Sequence, residues 1–118
     1  MSDGGWGDAA PAQAAQARVQ SIGVNPLDSR RVDVAVDITR CREPLTVEMV
    51  IVGPDDAELC SIVVVQSREW TLDRVMHLRR DAAAGVHTLH VGLFCDDRLL
   101  HQAAARFSFA AAEPGSRG

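Results

Sequence analysis

From residue 31 to residue 39 the chain alternates strictly, with Val32, Val34, Val36 and Ile38 separated by Asp33, Ala35, Asp37 and Thr39. A period of two puts the four large apolar side chains on one face of an extended segment, which predicts a half-buried β-strand. Comparable apolar runs recur about every 13 residues with turn chemistry between them, the rhythm of an all-β sandwich. The first expected strand is Arg18 to Val24, ended by Asn25-Pro26, a dipeptide that favours a turn and removes a backbone donor. Arg31 to Thr39 is the second. The third, Leu45 to Val52, stops at Gly53-Pro54-Asp55-Asp56, and the fourth, Glu58 to Gln66, carries Ile62-Val63-Val64-Val65. Trp70 to Leu78, Val86 to Cys95 and Leu99 to Ala110 complete a set of seven. The expected fold class is therefore an all-β, seven-stranded antiparallel sandwich.

Two segments also fit helices. Thr71 can cap a helix carrying Leu72, Val75 and Met76, with Gly85 just past its end, and Asp97 can cap one carrying Leu99, Leu100, Ala103, Ala104 and Phe107. The alternative is an α+β fold with helices near 71–84 and 97–106. If the last segment is instead a strand, a three-residue turn at Asp96-Asp97-Arg98 sets Leu93 opposite His101 and Leu89 opposite Ala105. That register turns Phe107 and Phe109 inward and leaves Phe94 outward near Ala104, whereas a one-residue slip would bury Arg106.

Residues 1–17 and 111–118 are poor in large apolar groups and read as flexible tails, because they bury too little surface to offset a backbone ordering cost of about 1–2 kcal/mol per residue. The single domain between them, residues 18–110, holds every Val and Ile of the chain. Composition then removes chemistries. All 12 basic residues are Arg, so no lysine is present to form a Schiff base or to serve a phosphate-binding loop, and there is no Tyr. A net charge of −4 gives phosphate backbones no attraction, so no nucleic-acid partner is expected. No apolar run reaches the ~18 residues of a membrane span, and the N-terminus lacks the basic start and apolar core of a secretory signal. The expectation is a cytoplasmic chain without membrane insertion, whose Cys41, Cys60 and Cys95 are free thiols.

At Gly85-Val86-His87-Thr88-Leu89-His90-Val91-Gly92-Leu93 the sequence resembles the corner and following strand of an immunoglobulin-like or fibronectin-type-III-like sandwich. There a loop ending in Gly leads to an aromatic corner residue, usually Tyr, and then to alternating core positions. The resemblance implies that His87 occupies the corner and that Leu89, Val91 and Leu93 point inward. It departs from the immunoglobulin pattern in having no Trp in the third strand and Leu89 in place of the second disulfide Cys. It concerns architecture and implies no activity.

That topology would gather Arg30-Arg31 and Arg79-Arg80 near Asp55, Asp56 and Glu58 at one pole, as a solvated rim of neutralising charge or as a small anion-binding patch. At the other pole it would gather Cys41, Cys95 and the neighbouring charged turns. Arg40 and Arg42 flank Cys41 and would favour its thiolate. Cys41 and Cys95 are then two unlinked structural thiols, a disulfide or redox-sensitive pair, or metal ligands with His101. The spacing offers no paired Cys/His motif, so no metal or other cofactor is expected. His87 and His90 fall on opposite faces of one strand and cannot chelate together. No nucleophile elbow surrounds any of the serines, and no catalytic residue or enzyme activity is expected.

The third and fourth strands are apolar on both faces, more than a one-sided sheet requires. If strands three, six and seven share a sheet, Val50, Val52, Phe94 and Ala104 lie on its outer face as an apolar surface for a protein partner or a homo-oligomer. A tail bringing Trp6 onto that strip would be another way to cover it.

Overall fold

The computed structural model describes residues 16–109. Seven strands run in chain order: β1 (Val19–Asp28), β2 (Arg31–Ile38), β3 (Leu45–Val52), β4 (Glu58–Ser67), β5 (Thr71–His77), β6 (Val86–Cys95) and β7 (Arg98–Ser108). They form a three-stranded sheet in the order β1-β2-β5 and a four-stranded sheet in the order β4-β3-β6-β7, with every neighbouring pair antiparallel. At the level of fold this all-β, two-sheet sandwich is immunoglobulin-like.

The core is the inner face of both sheets. Val32, Val34, Val36 and Ile38 of β2 are buried, as their alternation predicts, together with Leu72 and Met76 of β5. Val47, Met49 and Ile51 of β3 and Leu89, Val91 and Leu93 of β6 close the core from the four-stranded side. Each such side chain contributes roughly 1.5–3 kcal/mol relative to exposure, which is what outweighs the entropy lost by the ordered strands.

Neither helix alternative forms. Residues 71–77 pair with β2, setting Leu72 opposite Val36 and Met76 opposite Val32, and Val75, which a helix would have buried beside them, is 41% exposed. Residues 97–106 fall largely within β7, where Ala103, Ala105 and Phe107 turn toward the core and Gln102, Ala104 and Arg106 away from it.

Three departures from expectation shape the sandwich, beyond shifts of a residue or so at several strand ends. β1 does not end at Asn25-Pro26 but continues to Asp28, with a register shift between Pro26 and Asp28. It is an edge strand, where a residue without an N–H is tolerated. Ala17, expected in the tail, is fully buried. The last hairpin turns on two residues, not three: Asp96 (φ 51°) and Asp97 (φ 65°) are left-handed, the primed turn that matches strand twist, and Cys95 faces Arg98. Leu100 is then taken up as a bulge between the pairs Phe94–Leu99 and Leu93–His101. The expected pairs Leu93–His101 and Leu89–Ala105 therefore hold, while Phe94 lies beside Leu99, and Ala104 beside His90.

His87 fills the corner. It is completely buried, its Nδ1–H donates to the Gly85 carbonyl at 3.1 Å, and its ring lies 4.8 Å from that of Phe109 and 5.7 Å from that of Phe107. The expected tails, residues 1–15 with Trp6 and residues 111–118, lie outside the described residues. Among those described, no helix is long and apolar enough to cross a membrane.

Candidate functional site

β3, β6 and β7 share a sheet, as the interface expectation required, and β4 extends it on one side. Pairing arranges the outer face in cross-strand rows. One row contains Thr46, Phe94 and Leu99, with Val65 from the bulged end of β4 beside it. The next contains Val63, Glu48, Gly92 and Gln102, and the third Ser61, Val50, His90 and Ala104. Val52 lies in the last row, between Glu58 and Thr88.

Val50, Val52, Phe94 and Ala104 thus lie on one face, but not as one patch. The row of Glu48, Gly92 and Gln102 separates Phe94 from Val50 and Ala104, and a shallow depression of about 270 Å³ lies between Glu48, Val50, His90, Gly92, Gln102 and Ala104. Val50 and Val52 are half-buried and Ala104 exposed. At the other end Val63, Val65 and Leu99 are 52%, 68% and 45% exposed, with Thr46 between Val65 and Phe94, and a second depression of about 380 Å³ opens between Thr46, Val65, Phe94 and the acidic Glu43, Asp96 and Asp97. The Phe94 ring leans over Gly92, where an added Cβ would stand 3.0 Å from Cε1. Val63, Val65 and Leu99 were not among the expected contact residues. Period two in residues 61–65 carries the signal, because it sends Ser61, Val63 and Val65 to one side.

The outer face of the other sheet is different. It presents Asp33, Ala35 and Asp37 from β2 and Thr71, Asp73, Val75 and His77 from β5, a mostly polar surface. The two outer faces differ in degree: this one carries Asp33, Asp37 and Asp73 around Val75, the single exposed large apolar residue of β2 and β5, while the four-stranded one exposes Val63, Val65 and Leu99 among polar neighbours such as Glu48 and Gln102.

Cys41 and Cys95 do come to one pole, close enough for a negative charge on Cys95 to act on Cys41. Cys41 is buried and donates its S–H to the Thr39 carbonyl at 3.4 Å. Burial pushes its thiol up, helped by the negative charges of Glu43 and Cys95. This overturns the expected activation by Arg40 and Arg42, both of which are exposed, since desolvation outweighs a solvent-screened cation. Cys60 is raised for the same first reason, and Cys95 is half-buried; all three are free thiols. His101 accepts the Val19 N–H on Nδ1 at 3.0 Å, so one ring nitrogen ties β1 to β7. Among the described residues no three His, Cys, Asp or Glu side chains gather as metal ligands would. At the opposite pole Arg79 pairs with Glu58 and Arg80 with Asp55, both at 3.2 Å, while Arg31 pairs with Asp28 and Arg30 binds the Leu78 and Arg79 carbonyls. The rim is an exchange of exposed charges.

No protein-family model matches the chain, and no curated protein sequence does. Solved structures do. A β-glucuronidase from glycoside hydrolase family 2 superposes with a TM-score of 0.58 at 8% identity, over 79% of this chain and 12% of that one. The Ruminococcus gnavus β-glucuronidase gives 0.56 at 9% identity, covering 80% and 16%, and a β-glycosidase from Bacteroides vulgatus 0.54 at 14%, covering 79% and 13%. The chain spans less than a fifth of each. Likeness at that identity establishes a shared sandwich fold.

Proposed function

We propose that this domain is a non-enzymatic protein–protein interaction or assembly module that works in the cytoplasm and binds through the outer face of its four-stranded sheet. The observation that carries the reading is the asymmetry between the two outer faces. One is dominated by Asp33, Asp37 and Asp73 and exposes Val75 alone among large apolar groups of β2 and β5, while the other exposes Val63, Val65 and Leu99 on strands flanking Thr46 and Phe94, with Val50, Val52 and Ala104 further along. Contiguous exposed apolar surface on a small domain marks a place where another surface docks. Unpaired thiols suit a reducing compartment, and the missing lysine, tyrosine and nucleophile elbow support a non-enzymatic reading. The glycoside hydrolases lend their fold to the comparison and not their activity.

A photoreactive residue placed in turn at Phe94, Leu99 and Ala35 tests this in cells. Protein adducts are expected at Phe94 and Leu99 and not at Ala35 on the opposite sheet. Equal labelling at all three positions, or none at the first two, would overturn the reading.

A further inference from the structure

The sandwich has four strand edges, and three are guarded against pairing with another chain. β1 contains Pro26 and two register shifts, and its first N–H is taken by His101. β5 is seven residues long and carries Asp73, Arg74 and His77. β7 bears Arg98, Arg106 and a bulge, and packs toward β1. Proline, charge, bulges and shortness are the devices by which natural sheets blunt their edges. β4 has none of them along its middle. From Leu59 to Ser67 it has no charge, no Pro and no Gly, its register shifts lie near its two ends, and its pairing with β3 is regular from Cys60 to Val64.

We propose that β4 is a self-association edge, pairing antiparallel with β4 of a second copy about a two-fold axis at Val63. This rests on the interaction-module reading and names the partner of one part of that surface. Two observations fix the register. First, Arg79 N–H already donates to the Leu59 carbonyl at 2.9 Å, which covers the start of the edge, and the end is bulged at Gln66 (φ 50°). The open run is Ser61–Val65, and its centre is Val63. Second, antiparallel pairing about residue 63 sets position 63 + k against 63 − k of the other copy, so that past the ends of the paired run Ser61–Val65 the exposed Glu58 of one copy and the exposed Arg68 of the other, just beyond β4, flank the contact at the same end, and by symmetry so do Arg68 and Glu58. Shifting the axis to Ile62 or Val64 loses both reciprocal pairs. A closed two-fold contact of this kind is self-complementary. Every second residue of β4 turns its N–H and C=O to the open side, so pairing satisfies them and joins two four-stranded sheets into one. On the outer face Val63 meets its own copy and Val65 meets Ser61, so the exposed valines become cross-strand neighbours. Edge pairing buries less than the roughly 1,200–2,000 Å² of a standard stable interface, so the dimer is concentration-dependent.

Light scattering after size exclusion, over a range of protein concentration, tests this with reciprocal charge variants. Wild type is expected to shift from monomer to dimer as concentration rises. Glu58→Arg and Arg68→Glu should each weaken the dimer at least fivefold, the double swap should restore it, and a 1:1 mixture of the two single variants should form the mixed dimer. Thermal unfolding of each variant separates loss of pairing from loss of fold; the exposed Glu58–Arg79 pair contributes little to folding. A wild type that remains monomeric at millimolar concentration, or single variants that dimerise as tightly as wild type, would overturn the proposal. A monomer in which the β4 amides turned away from β3 resist hydrogen exchange also overturns it, by placing another segment of the chain on the edge. Crosslinking at Phe94 and Leu99, away from the edge, separates the two readings: adducts there from a chain that is monomeric in light scattering overturn only the β4 pairing, whereas a dimer without such adducts overturns only the wider docking face.

Discussion

The ring of His87 meets that of Phe109 edge-on, 4.8 Å between centroids at 70°. Phe107 closes the group at 5.6 Å from Phe109, and the whole cluster sits where β6 leaves the Gly85 corner. One nitrogen of His87 is tied to the Gly85 carbonyl, and Nε2 is buried without a partner. The imidazole thus serves as an aromatic plug with a single backbone tether.

That division of labour predicts opposite results from two substitutions. His87→Ala removes a fully buried ring and leaves a cavity, at a cost of about 2–4 kcal/mol. His87→Phe keeps the ring, loses the tether and removes the unpartnered nitrogen, so the two changes offset and stability stays within about 1 kcal/mol of wild type. Urea unfolding midpoints check both, and equal losses in the two variants would refute the plug.

Gly85 adopts φ 121°, and a Cβ there would stand 2.8 Å from Cγ of Pro54. Gly85→Ala is expected to cost about 1–3 kcal/mol from the backbone alone, with the clash against a stiff ring added to it. Adding Pro54→Ala should return part of the loss, because it relieves the contact and not the φ. A double-mutant cycle measures the coupling; strict additivity would show that the two residues do not touch.

The polar outer face carries an acid pair. Asp33 is held above the usual carboxylate range, first by its hydrogen bond with Asp73 and then by desolvation and the Asp73 charge. The folded chain therefore holds this proton more tightly than the unfolded one, and the pair's contribution to stability declines as pH rises through the carboxylate range. Asp28 and Asp55 behave in the opposite sense: backbone N–H donation from Arg30 and Ala57, respectively, holds them low, so their contribution is present at neutral pH and lost on acidification. Asp33→Asn should raise the melting temperature at pH 7, and the advantage should vanish below about pH 4. A melting-temperature difference that is independent of pH would show that the shared proton is not the cause.

Cys41, buried and raised, should react slowly with a thiolate-selective reagent in the native state at pH 7 and quickly once the chain is unfolded. Mass spectrometry of peptides after timed native alkylation reads this directly. Labelling of Cys41 as fast as that of a free thiol would restore the activation by Arg40 and Arg42 that the structure argues against.

Much of this architecture is legible in the sequence because alternation and burial report the same thing. The inward set Val32, Val34, Val36 and Ile38 follows from period two, and the limits of β3 and β6 from that pattern together with the turn residues Gly53-Pro54 and Gly85 that bound them. What escaped depends on neighbours. Pro26 signals a turn unless its strand is known to be an edge. Asp96-Asp97 permits a two-residue turn, but only the placement of Leu100 as a bulge keeps Leu93 opposite His101. Of the candidate surface, Val50, Val52, Phe94 and Ala104 were assigned to the correct face by parity. The larger exposure of Val63 and Val65 follows from β4 lying outside β3, a fact of sheet order that spacing cannot supply.

The His101–Val19 bond has a mechanical consequence. β1 begins and β7 begins at the same pole, and the two strands run in the same direction, so the path through the sandwich enters at one pole near Ile38 and leaves at the other near Val86. Tension applied between Val19 and Ser108 would therefore drag β1 and β7 past each other along their length, loading their contacts together rather than peeling them one at a time. Resistance to such a pull is set by the height of the unfolding barrier and not by equilibrium stability. A single imidazole at the first turn of that path would be among the groups that must give way before the sheets part.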